Sequence, residues 1–312
     1  MKKALILLNM GGSNRVEEVK MFLKNMFADK NILPINRYLR KLVAYIIVSK
    51  RLKEVEENFI KFLGGKSPLP ELTQKLIEKL KTKLEMPIVP AMRYVPPFAT
   101  SSLEQFKADG IEELILFPMY PQYSTTTTLS SLEDIEERCE ALGYNPKITL
   151  IEPYYDKYDY IKATANKIIE ASKDIEREAY DLLLSAHGLP VSIIKAGDPY
   201  EKQVEANVSA LKIYLHEHGI GFNAIKLVYQ SKVGNASWLE PSLVGVLRNP
   251  KNRKVLIAPL AFTIDNSETV FELEIENREI ADKIKYKDYL VVPCLNDDDA
   301  FVDFIVQQVN SL

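Results

Sequence analysis

His187 closes an apolar run, Leu183-Leu184-Ser185-Ala186-His187-Gly188-Leu189-Pro190. An imidazole at the carboxyl end of a strand, just before Gly and Pro, stands where open α/β sheets keep their ligands. Such a group could accept a proton near neutral pH or hold a divalent metal; a structural histidine fits the same string. Glu268, Glu272 and Glu276 recur every four residues and stack on one face of a helix. Like charges at that spacing cost a helix about 0.2–0.5 kcal/mol per pair, and no Lys or Arg stands among them. A nearby helix N-terminus offsets part of the cost at Glu268. A file of carboxylates suits the passage of a hard cation or of protons, or it is a solvated acidic face. His187 and Glu268, from loops after two strands of one sheet, could converge on a metal or on a proton to be removed.

Flat and apolar residues gather near other run ends. Met10, Tyr123, Trp238 and Phe262 would suit a planar aromatic ligand, or would simply be core. Arg93 and Lys232 stand at run ends too, placed either to meet carboxylates of a ligand or to form structural ion pairs. His216 and His218 lie two apart on a helical pattern ending at Gly219, share no face, and read as surface residues. Gly64-Gly65-Lys66-Ser67 lacks the spacing of a phosphate loop and follows no strand, which excludes a nucleotide site there.

The elements that must carry these residues follow from eight short Leu-, Ile- and Val-rich runs separated by helix-length amphipathic stretches. The runs cover residues 4–9, 87–94, 113–119 and 147–152, then 181–186, 225–230, 254–260 and 288–293. They lack period-2 alternation, as strands covered on both faces do. The expected fold is α/β, with two four-stranded parallel sheets flanked by helices and a cleft between the halves. The domains are expected at 1–155 and 156–312, the second carrying the metal-site residues. Between the first two runs, residues 13–86 hold helical patterns at 16–27, 39–59 and 72–84; this insert is either a lip over the cleft or extra packing helices.

Bulk properties narrow the function class. The chain has 312 residues, 46% apolar and 27% charged, with a net charge of −3. That balance gives no general attraction to nucleic acid or to an anionic membrane. Residues 4–8 follow a basic start but no small-x-small pattern, so they read as a buried first strand rather than a leader. No stretch approaches the ~18 apolar residues that span a bilayer. Residues 42–48 are either a buried helix or a surface that touches a membrane peripherally. Cys139 and Cys294 are too few and too distant for a disulfide framework and suit a cytoplasmic protein.

The sequence resembles the ferrochelatases. The likeness is carried by Leu183 to Pro190 continuing to Gly197-Asp198-Pro199-Tyr200, by Leu8-Asn9-Met10-Gly11-Gly12, by Gly64-Gly65-Lys66-Ser67-Pro68 and by Arg93-Tyr94. Tyr120-Pro121-Gln122-Tyr123-Ser124, Gln230-Ser231-Lys232-Val233-Gly234 with Trp238, and Ala261-Phe262-Thr263 through Glu268-Thr269 complete it in family order. The resemblance implies two similar Rossmann-like, chelatase-type domains and insertion of Fe²⁺ into a porphyrin at the end of haem biosynthesis. It implies His187 and Glu268 as the catalytic and metal-site pair, with Glu272 and Glu276 as a proton or metal path. Met10, Arg93, Tyr123 and Trp238 would be porphyrin-binding. Fe²⁺ and porphyrin are then substrates of a monomer with no prosthetic group, and two cysteines make an iron–sulfur cluster unexpected. Two departures stand out: Asn266 occupies a position where many members have histidine, and a cysteine-bearing C-terminal extension found in some members is not expected. Protoporphyrin is the expected ring. Coproporphyrin, another tetrapyrrole or metal, or a non-catalytic haem or iron carrier are the alternatives.

Overall fold

A computed structural model describes residues 1–232 and 236–312. All eight apolar runs are strands: β1 (Lys3–Asn9), β2 (Ile88–Met92), β3 (Glu113–Pro118), β4 (Lys147–Leu150), β5 (Asp181–His187), β6 (Ala224–Gln230), β7 (Lys254–Pro259) and β8 (Asp288–Val291). They form two all-parallel sheets ordered β2-β1-β3-β4 and β6-β5-β7-β8. The same strand order, offset by four, is repeated in the second half. The register makes the repeat concrete: Asn9 at the end of β1 pairs with Met92, and His187 at the end of β5 pairs with Gln230. The two halves thus share a frame, and only the second places an imidazole at this strand end.

Both faces of each sheet are covered, which is why the strands are apolar throughout. In the first sheet Ala4, Ile6, Leu8, Leu114 and Leu116 pack against Leu103, Phe106 and Ile135. In the second, Leu183, Val228, Val255 and Ile257 pack against Leu243, Leu247 and Leu273. The opposite side of β5 and β6 meets Tyr200, Val204 and Leu239.

The chain divides into two compact units, Met1–Tyr120 with Ser124–Glu152 and Ile305–Leu312, and Pro121–Tyr123 with Pro153–Phe304. This differs from a single cut after residue 155. Three residues after β3 group with the second unit, and the last helix, Asp299–Asn310, is divided between the two. A linear reading of apolar runs carries no signal for a segment that returns to an earlier unit.

The insert holds three helices, Glu17–Ala28, Arg37–Leu63 and Leu69–Lys81. The second is longer than the pattern at 39–59. Asn36 extends its start by accepting from the Tyr38 N–H at 3.0 Å, and Gly64, at φ 61°, ends it in the left-handed conformation that glycine adopts without cost. Within 42–48, Ala44 and Val48 are buried, while Leu42 and Tyr45 are 56% and 71% exposed. This stretch is therefore amphipathic, not buried. Among the described residues no helix is long and apolar enough to cross a membrane.

Candidate active site

The site residues of the second unit gather at the carboxyl end of β5. His187 is the last residue of that strand, and Tyr200 fixes its backbone by donating from its hydroxyl to the His187 carbonyl at 2.9 Å. The ring is fixed separately. Nδ1 lies 2.6 Å from the Gly188 carbonyl oxygen, so Nδ1 carries the proton that makes this bond. Nε2 is left to face Glu268, 3.6 Å from its Oε2. The imidazole edge also meets the Phe262 ring, with centroids 6.3 Å apart.

Gly188 explains how Trp238 comes close. A Cβ at Gly188 would lie 2.9 Å from the Gln230 carbonyl oxygen and 3.4 Å from Trp238 Cε3. Only a residue without a side chain allows this approach. Pro190 and Trp238 pair as an isolated antiparallel bridge, held by Val191 N–H to the Ser237 oxygen at 2.9 Å and Leu239 N–H to the Leu189 oxygen at 3.0 Å. Trp238 is half-buried there, beside the residue that follows His187.

Glu268 opens a π-helix, Glu268–Glu276, where an α-helix is expected from the sequence. A repeat of four lies between the α-helical period of about 3.6 and the longer period of an i→i+5 helix, so the glutamates share a face on either. Most π turns are short and occur at functional sites; this one runs for nine residues. Asn266, buried, accepts at its side-chain oxygen from the Glu268 N–H at 2.8 Å and the Thr269 N–H at 3.4 Å. The asparagine that stands in place of a familiar histidine is thus a cap that holds the Glu268 backbone.

Down the helix the glutamates differ. Glu272 accepts from the Ser231 N–H at 2.7 Å, from the Ser231 hydroxyl, and from the Gln230 amide at 3.3 Å. Gln230 in turn accepts from the Ser185 hydroxyl at 2.8 Å. Ser231 reaches Glu272 from a positive φ of 67°, an uncommon conformation for a serine. Glu276 is exposed. Lys232 is exposed and paired with Glu240 at 3.3 Å; the Val233-Gly234 part of that motif lies outside the described residues.

The electrostatics follow from this packing. Burial opposes a charged His187, but the Glu268 carboxylate, by charge and by hydrogen bond, outweighs it, helped by the Glu272 charge and the Gly188 carbonyl. The His187 pKa is held up at about 9. Burial, then the neighbouring Glu268 charge, raises Glu272 to about 6, against the lowering effect of Ser231. At neutral pH the His187 ring is therefore an imidazolium, not the neutral imidazole that an ordinary pKa near 6.5 would give. Among the described residues no three His, Cys, Asp or Glu side chains gather closely enough to hold an ion.

Tyr123 belongs to the same unit, and its N–H donates to the Gln203 side chain at 2.7 Å. Gln203 lies on the helix Tyr200–Glu217, whose first residue anchors His187. Met10 and Arg93 belong to the other unit. Met10 follows β1 and its carbonyl accepts from the Tyr94 N–H at 3.0 Å. Arg93 donates to the Ser130 carbonyl and hydroxyl at 3.1 and 2.9 Å, and pairs with Asp29 and Asp134 at 3.2 Å each. Sequence reasoning missed Tyr200, Ser231 and Asn266. All three stood within quoted motifs, Asn266 as a departure from histidine, but the contacts they make carry no signal in the sequence.

The ferrochelatase family model matches residues 2–312. The chain belongs to the ferrochelatase family. It is a lyase of haem biosynthesis, with ferrous iron and a porphyrin as its substrates. Among its relatives is the ferrochelatase of Wolinella succinogenes, 48% identical over 99% of this chain and 98% of that protein. The ferrochelatase of Helicobacter pylori is 43% identical over 100% of this chain and 94% of that protein. Solved structures share the fold at low identity. SirB from Bacillus subtilis with Fe³⁺ superposes with a TM-score of 0.59 at 12% identity, covering 100% of this chain and 95% of that one. CbiX, described as the terminal enzyme for biosynthesis of sirohaem in denitrifying bacteria, gives 0.52 at 11% identity, covering 100% and 99%.

Proposed function

We propose that the chain inserts Fe²⁺ into protoporphyrin IX to give protohaem with release of two protons, and that His187 and Glu268 carry out the exchange. The observation that carries this reading is the 3.6 Å approach of Nε2 to Oε2 beside Gly188 and Trp238. Two side chains grip a metal less fully than a closed four-ligand site does, which suits a cargo that must be handed on. In this reading Trp238, Tyr123 and Met10 hold the ring faces and Arg93 stands at the rim. Binding energy from those faces bends the ring and turns a pyrrole nitrogen toward the metal.

The charge state orders the steps. At neutral pH the approach of Fe²⁺ opposes the imidazolium and drives the proton off Nε2 on the side that faces Glu268. The freed Nε2 then accepts a pyrrole proton or holds the iron, with Glu268 beside it. Glu272 and Glu276 lead protons outward.

Anaerobic steady-state assays with protoporphyrin and coproporphyrin across pH test this. The account expects the higher kcat/KM with protoporphyrin and a rate that rises with pH as His187 loses its proton. Glu268 raises that pKa, so Glu268→Gln lowers it and moves the rising limb to lower pH. A clear preference for coproporphyrin would replace the substrate, and an unmoved limb would remove the coupling.

The same reading has the chain working as a cytoplasmic monomer without a prosthetic group. A four-thiolate cluster needs more than the two cysteines one chain supplies. The exposed Tyr38, Leu42 and Tyr45, beside Arg37, Arg40 and Lys41, support peripheral contact with an anionic lipid surface. Sedimentation with and without anionic vesicles checks both points: a monomer alone and co-sedimentation with vesicles are expected, and a dimer or vesicle-free protein would contradict them.

A further inference from the structure

Asp29 forms the C-cap of the helix Glu17–Ala28, where the helix's partial negative charge disfavours a carboxylate. Its side chain is 1% exposed, and both of its oxygens accept hydrogen bonds. Oδ1 accepts from the Asn31 N–H at 2.8 Å. Oδ2 accepts from the Tyr94 hydroxyl at 2.9 Å and from the Ser130 hydroxyl, and lies 3.2 Å from Arg93 Nη2. The Oδ2 partners come from the segment after β2 and from the start of the helix Ser130–Ala141. A buried charge at an unfavourable helix end, with its oxygens so fully engaged, ties the insert to the sheet.

The segment so tied is the one that places Met10. The Arg93 N–H donates to the Asn9 oxygen at 2.8 Å and the Tyr94 N–H to the Met10 oxygen at 3.0 Å. The insert reaches Tyr94 twice more. Asn25 donates to its carbonyl at 2.8 Å, and Phe22 meets its ring edge-on at 5.8 Å. Beyond this point the first two insert helices share a small core of their own, with Val19, Leu23, Val48 and Phe59 buried at its centre.

We propose that Asp29 is a positioning residue for ring binding: by holding Tyr94 and Arg93 it fixes both the insert and the backbone of Met10. The consequence for the ring rests on the reading of Met10 as a ring contact. A displacement of only ~1 Å in a positioning group can cost roughly a hundredfold in function.

Asp29→Asn keeps the shape and removes the charge. It is expected to raise the KM for porphyrin about tenfold while kcat changes by less than about threefold. Tyr94→Phe, which keeps the packed ring and removes one donor, should shift KM in the same direction by less. Val48→Ala disturbs the insert's own core without touching the latch and should leave KM near that of the parent. An equal rise in Val48→Ala, or a fall in kcat with KM unchanged in Asp29→Asn, would overturn the assignment. Hydrogen exchange reads the latch without porphyrin. Asp29→Asn should speed exchange across residues 17–28 and 93–95 and leave β5 to β8 as before; unaltered exchange at 17–28 would overturn the proposal. Met10→Ala is assayed alongside. If it leaves KM unchanged, the ring contact fails and exchange alone decides the latch.

Discussion

Replacing His187 by alanine is expected to cost about a hundredfold to ten-thousandfold in iron insertion, the range for losing a positioned proton-transfer group. Porphyrin binding should survive, because the proposed ring contacts are other side chains. The argument is geometric. Nδ1 is committed to the Gly188 carbonyl, so Nε2 is the ring atom left to act, and it faces Glu268. Alanine removes that atom and leaves Gly188, Trp238 and the strand pairing in place. Trp238 is the only tryptophan, so quenching of its emission by added porphyrin measures binding in the same sample. Substantial turnover in His187→Ala would show that the imidazole is structural.

The second large effect separates the three glutamates. Glu268→Gln should lose about a hundredfold, because the neutral amide neither attracts the metal nor balances the imidazolium. Glu272→Gln should lose roughly tenfold, since its oxygens are bound by Ser231 and Gln230 and its proposed role is to take protons at one remove. Glu276→Gln, at an exposed position, should lose least. The Glu272 effect should grow with pH above about 6, where the native side chain is ionised and the amide is not. Rates for the three variants at pH 6 and pH 8 check the order. A loss in Glu272→Gln or Glu276→Gln that equals or exceeds the loss in Glu268→Gln would contradict it.

The strands were legible because a buried parallel sheet leaves uninterrupted apolar runs, and their repeated spacing carried the duplication. The place of His187 was legible because the apolar run it closes is the strand β5. The π-helix was not, since a four-residue repeat fits two helical periods equally. Glu272 read as the second carboxylate of a path behind Glu268, and only the folded chain brings Ser231 and Gln230 to it from 41 and 42 residues away. Arg93 read from its place at a strand end as either a ligand group or a structural ion pair, and its partners Asp29, Ser130 and Asp134 could not be named from the sequence. Partners on remote elements leave no periodic trace. The raised His187 pKa was hidden for the same reason, because it depends on a carboxylate 81 positions downstream in the chain.

Everything turns on whether metal and protons change places at this imidazole–carboxylate pair. The most direct measurement mixes Fe²⁺ anaerobically with porphyrin-loaded protein while porphyrin emission and a pH indicator are followed together. Free-base emission is expected to vanish in step with proton release in the parent, and both signals are expected to stall in His187→Ala. Bound porphyrin that keeps its emission in the parent, or protons that appear at the parental rate without the imidazole, would contradict it.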